Sequence, residues 1–326
     1  MKFISALILL TLSLYSIEEE DTSYSLILKN VNKELVRKAF LNLPKRTDIN
    51  ILKMCNLMNQ EKESLGLNDY EAVYLIYYWI GKSIRINCYS KDYEYTSAVT
   101  AYNEGTSSYV GISSLFSTMV NNIGLVSNII NGVFKSIEDN TSNGEIVETI
   151  HHVWNYVLIQ KNYYLFDPTY GIGRCDYTSF VSDFTDYYFG TDPKKLIRSH
   201  FPDESKWQFM TPAASENDFN SWPYVGKYFF LNGFETISPD TKEIKISSNL
   251  EITLTFNKSR QLEKLCRKSV FDGGRFIDYD LDNCVLSDGV LKATFSGSEK
   301  MDYFIMYAKP IEEYGPKKTI LIYKVK

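Results

Sequence analysis

Between positions 112 and 123 the apolar residues Ile112, Leu115, Phe116, Met119, Val120 and Ile123 recur at i, i+3, i+4, i+7, i+8 and i+11. That is the 3.6-residue repeat of one helix face, and a strand of period two could not bury it. The spacing predicts a helix over 111–123, ended by Gly124, where a left-handed cap suits a residue without a Cβ. The pattern then changes at once. Ser127 to Phe134 reads as a strand, while 153–159 (VWNYVLI) and 163–166 (YYLF) flank the polar turn Gln160-Lys161-Asn162, a hairpin signal. A helix that runs straight into antiparallel strands is the order expected of an α+β fold.

Upstream, Asn68 can cap a helix from about Tyr70 to Ile84, and 34–58 reads as two helical segments separated by Pro44. Downstream, helical and aromatic-rich sequence is expected from Phe180 to Trp207. Past Pro212 the texture shifts to short alternating segments such as Leu250–Phe256 and Thr319–Tyr323, which predicts an all-β sandwich. The chain has 326 residues, enough for two cores at roughly 150 residues each. The expected division is 1–16 as a signal peptide, 17–67 as a helical segment, 68–212 as the α+β domain and 213–326 as the β-sandwich.

The signal-peptide expectation rests on Met1-Lys2, the apolar run Phe3–Leu14 and Ser16 ahead of the acidic Glu18–Asp21. The run is too short to span a membrane, which takes about 20 residues. An exported, soluble chain without an integral membrane segment after cleavage follows as the expectation. Export makes two sequons readable, at Asn140 and Asn257. A net charge of −5 gives no electrostatic reason to expect nucleic acid as a partner. Cys55, Cys88, Cys175, Cys266 and Cys284 are scattered without a CxxC pair, so no zinc or other metal site is expected. Cys266 with Cys284 would make a local bridge and Cys88 with Cys175 a second. Gly171-Ile172-Gly173 reads as a turn and not a nucleotide loop, so no cofactor is expected.

Only three histidines exist. His151 and His152 open the first strand of the hairpin and Asp167 closes the second, so folding brings His152 and Asp167 to the same end. An imidazole beside a carboxylate is the orienting half of a catalytic triad. Spacing alone favours the plainer reading, a surface histidine and a hairpin-end acid.

The flanking residues go further. His152-Val153-Trp154-Asn155, the aromatic hairpin, and Asp167-Pro168-Thr169-Tyr170-Gly171 resemble the histidine–aspartate signature of transglutaminase-like domains. Gly111-Ile112-Ser113-Ser114-Leu115-Phe116 resembles the nucleophile helix of that superfamily, and Ala72–Ile84 with Trp79 the helix before it. Phe184–Phe189, Asp192-Pro193, His200-Phe201-Pro202-Asp203 and Trp207-Gln208-Phe209 resemble the kyphoscoliosis peptidase branch. The resemblance covers roughly 68–210. It implies a papain/transglutaminase-like core, a helix packed on an antiparallel sheet, with His152 and Asp167 as the triad's base and orienter.

One position departs. The nucleophile of that superfamily is a cysteine two residues before the helix glycine, and here that position holds Tyr109. A phenol starts from a pKa of about 10 against about 8.5 for a thiol, and its oxygen stands a whole ring further out. Tyr109 is therefore expected to plug the cleft, with Trp154 as a further candidate contact for a bound segment. The chain reads as a secreted pseudoenzyme that binds a protein or peptide. The alternative is an active cysteine protease or cross-linking enzyme whose nucleophile has moved to Cys88 or Cys175. A third is a purely structural exported protein.

Overall fold

The computed structural model describes residues 23–89, 97–137, 145–176, 179–245, 249–256, 262–272, 275–281, 284–287, 290–294, 300–310 and 317–326. The expected signal peptide and both sequons, at Asn140 and Asn257, lie outside them.

Helices start where a short polar side chain can take an orphan backbone N–H. Asn32 caps α1 (Lys33–Asn42) and Asn50 caps α2 (Ile51–Leu65), which closes on Gly66 in the left-handed conformation. Asn68 and Glu71 form a reciprocal capping box on α3 (Asp69–Ser83). After α4 (Ala98–Glu104), Ser108 caps α5 (Tyr109–Asn122), so this helix begins two residues ahead of the apolar repeat's expected start. Tyr109 is thereby its first residue.

The strands β1 (Val126–Ile137), β2 (Val147–Ile159), β3 (Asn162–Phe166), β4 (Phe189–Thr191) and β5 (His200–Pro202) form one antiparallel sheet in the order β4-β3-β2-β1-β5. Ile159 pairs with Asn162, and Gln160 and Lys161 both take positive φ (49° and 68°), the two-residue turn that matches strand twist. β2 starts at Val147 because β1 pairs along its whole length, so His151 and His152 lie within the strand and do not open it. Polar groups fix α5 on the sheet: Ser117 Oγ donates to the Ser127 carbonyl at 2.9 Å, and Asn155 Nδ2 to the Ser113 carbonyl at 3.0 Å.

The expected helical character of 180–207 is corrected. Only Pro193–Leu196 is α-helical there, and Phe189–Thr191 and His200–Pro202 instead extend the two edges of the sheet. Gly190 at φ 61° and the prolines at 193 and 202 break any continuous helix. Residues 24–26 cover one of those edges. Ser25 bridges Thr191, Leu26 N–H donates to Gly190 at 2.9 Å, and Asp192 N–H donates to Tyr24 at 2.9 Å.

The C-terminal region is rich in β-sheet. One sheet joins Tyr224–Val225, Lys318–Val325, Tyr303–Pro310, Leu262–Asp272 and Arg275–Asp280, and another joins Phe234–Ser238, Asn249–Phe256, Val290–Thr294 and Cys284–Ser287. Ile252, Leu254 and Leu291 of the second share a core with Phe304, Met306, Ile320 and Leu321 of the first. The Cys266–Cys284 disulfide ties the two sheets together. No helix among the described residues is long and apolar enough to cross a membrane.

Candidate active site

Asp167 follows β3 and caps the short helix Pro168–Ile172, where Oδ1 accepts the Thr169 and Tyr170 N–H groups at 2.9 and 3.1 Å. That fixes the carboxylate and turns Oδ2 to the sheet. His152 Nε2 lies 2.8 Å from Oδ2 and His200 Nε2 lies 3.0 Å from the same oxygen. All three side chains are at most 2% exposed. Burial would push the Asp167 carboxyl up, but the two imidazoles outweigh it and hold the acid well below the usual carboxylate range. His200 moves down, because burial disfavours its charged form more than Asp167 favours it. The other ring nitrogen of His200, Nδ1, lies 2.8 Å from Ser199 Oγ.

Aromatic rings close the cluster. Phe134 lies 4.9 Å from His200 and stacks on Tyr170 at 4.1 Å, Tyr170 lies 5.0 Å from His152, and Trp154 lies 5.2 Å from His200. Trp154, a candidate contact for a bound segment, is 1% exposed and stands behind the histidines. At Gly132 a Cβ would meet the Phe201 carbonyl and the Trp154 ring, so glycine lets the strand carrying His200 lie this close.

The three groups offer ligand atoms within 4.8 Å of one another, a set able to hold a metal ion. Both imidazoles, however, direct Nε2 at one oxygen over hydrogen-bond distances, and protons satisfy that arrangement. Committing His152 Nε2 to Asp167 leaves Nδ1 as the ring nitrogen that could take a proton from a nucleophile.

Tyr109, expected at the nucleophile position, is the first residue of α5. Half-buried at the first turn of α5, its ring centroid is 5.4 Å from that of His152 and 6.0 Å from that of His151. Its hydroxyl lies 3.3 Å from His151 Nδ1, so the polar end reaches the exposed histidine while the ring faces the buried one. Neither relocated-nucleophile candidate keeps a thiol, because Cys88 and Cys175 form a disulfide with Cα atoms 5.6 Å apart. The free thiol is Cys55, 1% exposed in α2, and burial pushes it up to about 11. A buried thiol so far above neutrality holds almost no thiolate. The moved-cysteine reading is corrected on this ground.

His200 is the member of the cluster that the spacing of the other two does not reveal. Its signal lies in being one of only three histidines and in the His200-Phe201-Pro202-Asp203 segment. Two of the basic side chains before it are already engaged: Lys195 Nζ donates to the Ser23 carbonyl at 2.7 Å, and Arg198 grips Asp240 through two hydrogen bonds.

Residues 58–168 match the Transglutaminase-like superfamily. The chain is also similar to two kyphoscoliosis peptidases. The mouse (Mus musculus) protein is 28% identical over 193 residues, 58% of this chain and 29% of the relative. The human (Homo sapiens) protein is 27% identical over 182 residues, 54% of this chain and 27% of the relative. The chain thus spans less than a third of the length of these relatives. A solved structure described as a TGase covers 45% of this chain and 38% of its own at 14% identity, with a TM-score of 0.28, too loose a likeness to argue from.

Proposed function

We propose that the chain is an exported transglutaminase-like pseudoenzyme that binds a protein or peptide segment at the cleft marked by Tyr109. The observation that carries the reading is Tyr109 at the first position of α5, with its ring against His152. A helix N-terminus and a neighbouring imidazole stabilise a thiolate. Tyrosine at that point supplies bulk and a stacking face, and its hydroxyl is directed to His151. The disulfide between Cys88 and Cys175 removes the substitutes. Export is supported by the Phe3–Leu14 run after Lys2.

The test pairs loss with gain. The wild-type protein, incubated with a peptide substrate and an amine donor, is expected to give neither cleavage nor cross-linking. Tyr109→Cys should create a thiol alkylated at neutral pH at least tenfold faster than an ordinary exposed cysteine, since each unit of pKa lowering raises the thiolate fraction about tenfold. Adding His152→Ala should remove that advantage. Wild-type turnover that disappears in His152→Ala would overturn the pseudoenzyme reading. A slow, His152-independent thiol in Tyr109→Cys would overturn the assignment of the cleft.

A further inference from the structure

Along β1, Phe134 faces the His152–Asp167–His200 cluster, so Lys135 projects from the opposite face of the sheet. It is 5% exposed there. Its Nζ donates to the carbonyls of Phe219 and Trp222 at 2.6 and 3.1 Å and lies over the Phe219 ring at 4.3 Å. Carbonyls and a ring face do not cancel a charge. A cavity of about 40 Å³ opens beside this ammonium, between the core sheet and the C-terminal sheet. That is room for roughly three waters, or for one tetrahedral oxyanion.

The cavity is lined by Lys135, Lys242 and Lys324, with Trp222, Tyr224 and Tyr303 around them. The nearby acids are already engaged. Glu145 pairs with Lys324 and accepts the Tyr303 hydroxyl at 2.8 Å, and Asp240 is held by both Arg198 nitrogens. Among the described residues, Lys135 and Lys242 have no carboxylate within ion-pair distance. Two lysines, one of them buried, thus line a small partly enclosed space, where attraction for an anion is screened less than at an open surface.

We propose that this cavity is a binding site for a phosphate- or sulfate-type oxyanion, held by Lys135 and Lys242 and capped by Trp222. It stands on the other face of the sheet from the cleft and does not depend on the pseudoenzyme reading. An ammonium with three N–H donors, two of them on carbonyls, keeps one for a ligand oxygen. Burial first, then repulsion from Arg198 and Lys242, lowers the Lys135 pKa to about 7 against the pull of Asp240. The site therefore titrates near neutrality. Protonated Lys135 binds the anion, and a bound anion draws a proton onto Lys135.

Calorimetric titration of the full chain with sodium sulfate and sodium phosphate tests the site, with sodium chloride at matched ionic strength as control. Sulfate keeps its charge across the pH range used, so the pH arm uses it alone. Affinity for sulfate should fall about tenfold between pH 6 and pH 8, as the protonated fraction of a group with a pKa of about 7 falls by that factor. Lys242→Gln leaves the buried lysine intact and should weaken binding at least fivefold. Lys135→Met should abolish it, and Lys242→Gln carries the test if that variant does not fold. No saturable heat, equal heat with chloride, a pH-independent affinity, or unchanged binding in Lys242→Gln would each overturn the proposal. O-phosphoserine binding at least as tightly as inorganic phosphate would identify the source as a phosphate ester, and weaker binding would identify it as the free anion.

Discussion

Replacing Asp167 separates what its two oxygens do. In Asp167→Ala, Oδ1 no longer accepts the Thr169 and Tyr170 N–H groups, a lost helix cap of about 1 kcal/mol. Oδ2 no longer accepts from His152 and His200, and a buried donor without an acceptor costs about 1–3 kcal/mol each. The sum is about 3–7 kcal/mol, a large part of the roughly 5–15 kcal/mol that holds a typical domain together. Asp167→Asn should behave differently. Its carbonyl keeps the cap, and its amide can donate to both imidazoles if each moves its proton to Nδ1. For His200 that proton then meets Ser199 Oγ, already 2.8 Å away. The loss should be limited to charge assistance, about 1–2 kcal/mol. Urea denaturation followed by tryptophan fluorescence measures both variants. If Asp167→Asn is as damaging as Asp167→Ala, or if the alanine costs less than about 1 kcal/mol, this account of the cluster is refuted.

Two further outcomes are expected. Stability should fall in two steps on acidification. The folded pKa of His200 is depressed, so below about 6.5 the unfolded chain takes up the proton first and gains. The folded pKa of Asp167 is depressed as well, so its contribution is present above about 3.9 and is lost as the pH drops further. Melting temperatures from pH 8 to pH 3 should show both steps, and the second should shrink in Asp167→Asn. The disulfides should rank by loop length: Cys88–Cys175 closes a separation of 87 residues and Cys266–Cys284 one of 18, so removing the first should cost about 1.4 kcal/mol more. Urea midpoints of the paired Cys→Ala variants in the opposite order would contradict that ranking.

The sequence reveals these parts unequally, for physical reasons. The α5 repeat is legible because its burial against a sheet demands a continuous apolar stripe, while its true start is set by Ser108, a hydrogen-bonding signal that hydrophobic spacing cannot carry. Gln160 and Lys161 turn the hairpin without glycine, so the flanking aromatic strands had to reveal it. The start of β2 escaped because residues 147–151 are partly exposed and are held by backbone pairing with β1. Between 180 and 207 the buried aromatics follow no single period, since each fills a different gap at the sheet edges. His200 lies 33 residues from Asp167 on a strand of three residues, and only pairing with Phe134 brings it to the acid. Trp154 is two residues from His152 on the same strand, so period-two alternation already puts both on one buried face.

The strip Tyr24–Leu26 along β4 has a consequence for solubility. A bare edge strand offers unpaired N–H and C=O groups to any other chain, and proteins protect such edges by covering them. Here the cover is part of the same polypeptide, locked by Ser25 Oγ donating to the Phe189 carbonyl at 2.6 Å and by Ile27 packing in the space that glycine leaves at position 190. A chain trimmed to begin at Val31 would keep His152, Asp167 and His200 and lose this guard. It should gather into β-paired aggregates while the His152–Asp167–His200 cluster still has all its residues, so trimming the front of this chain threatens its solitude first.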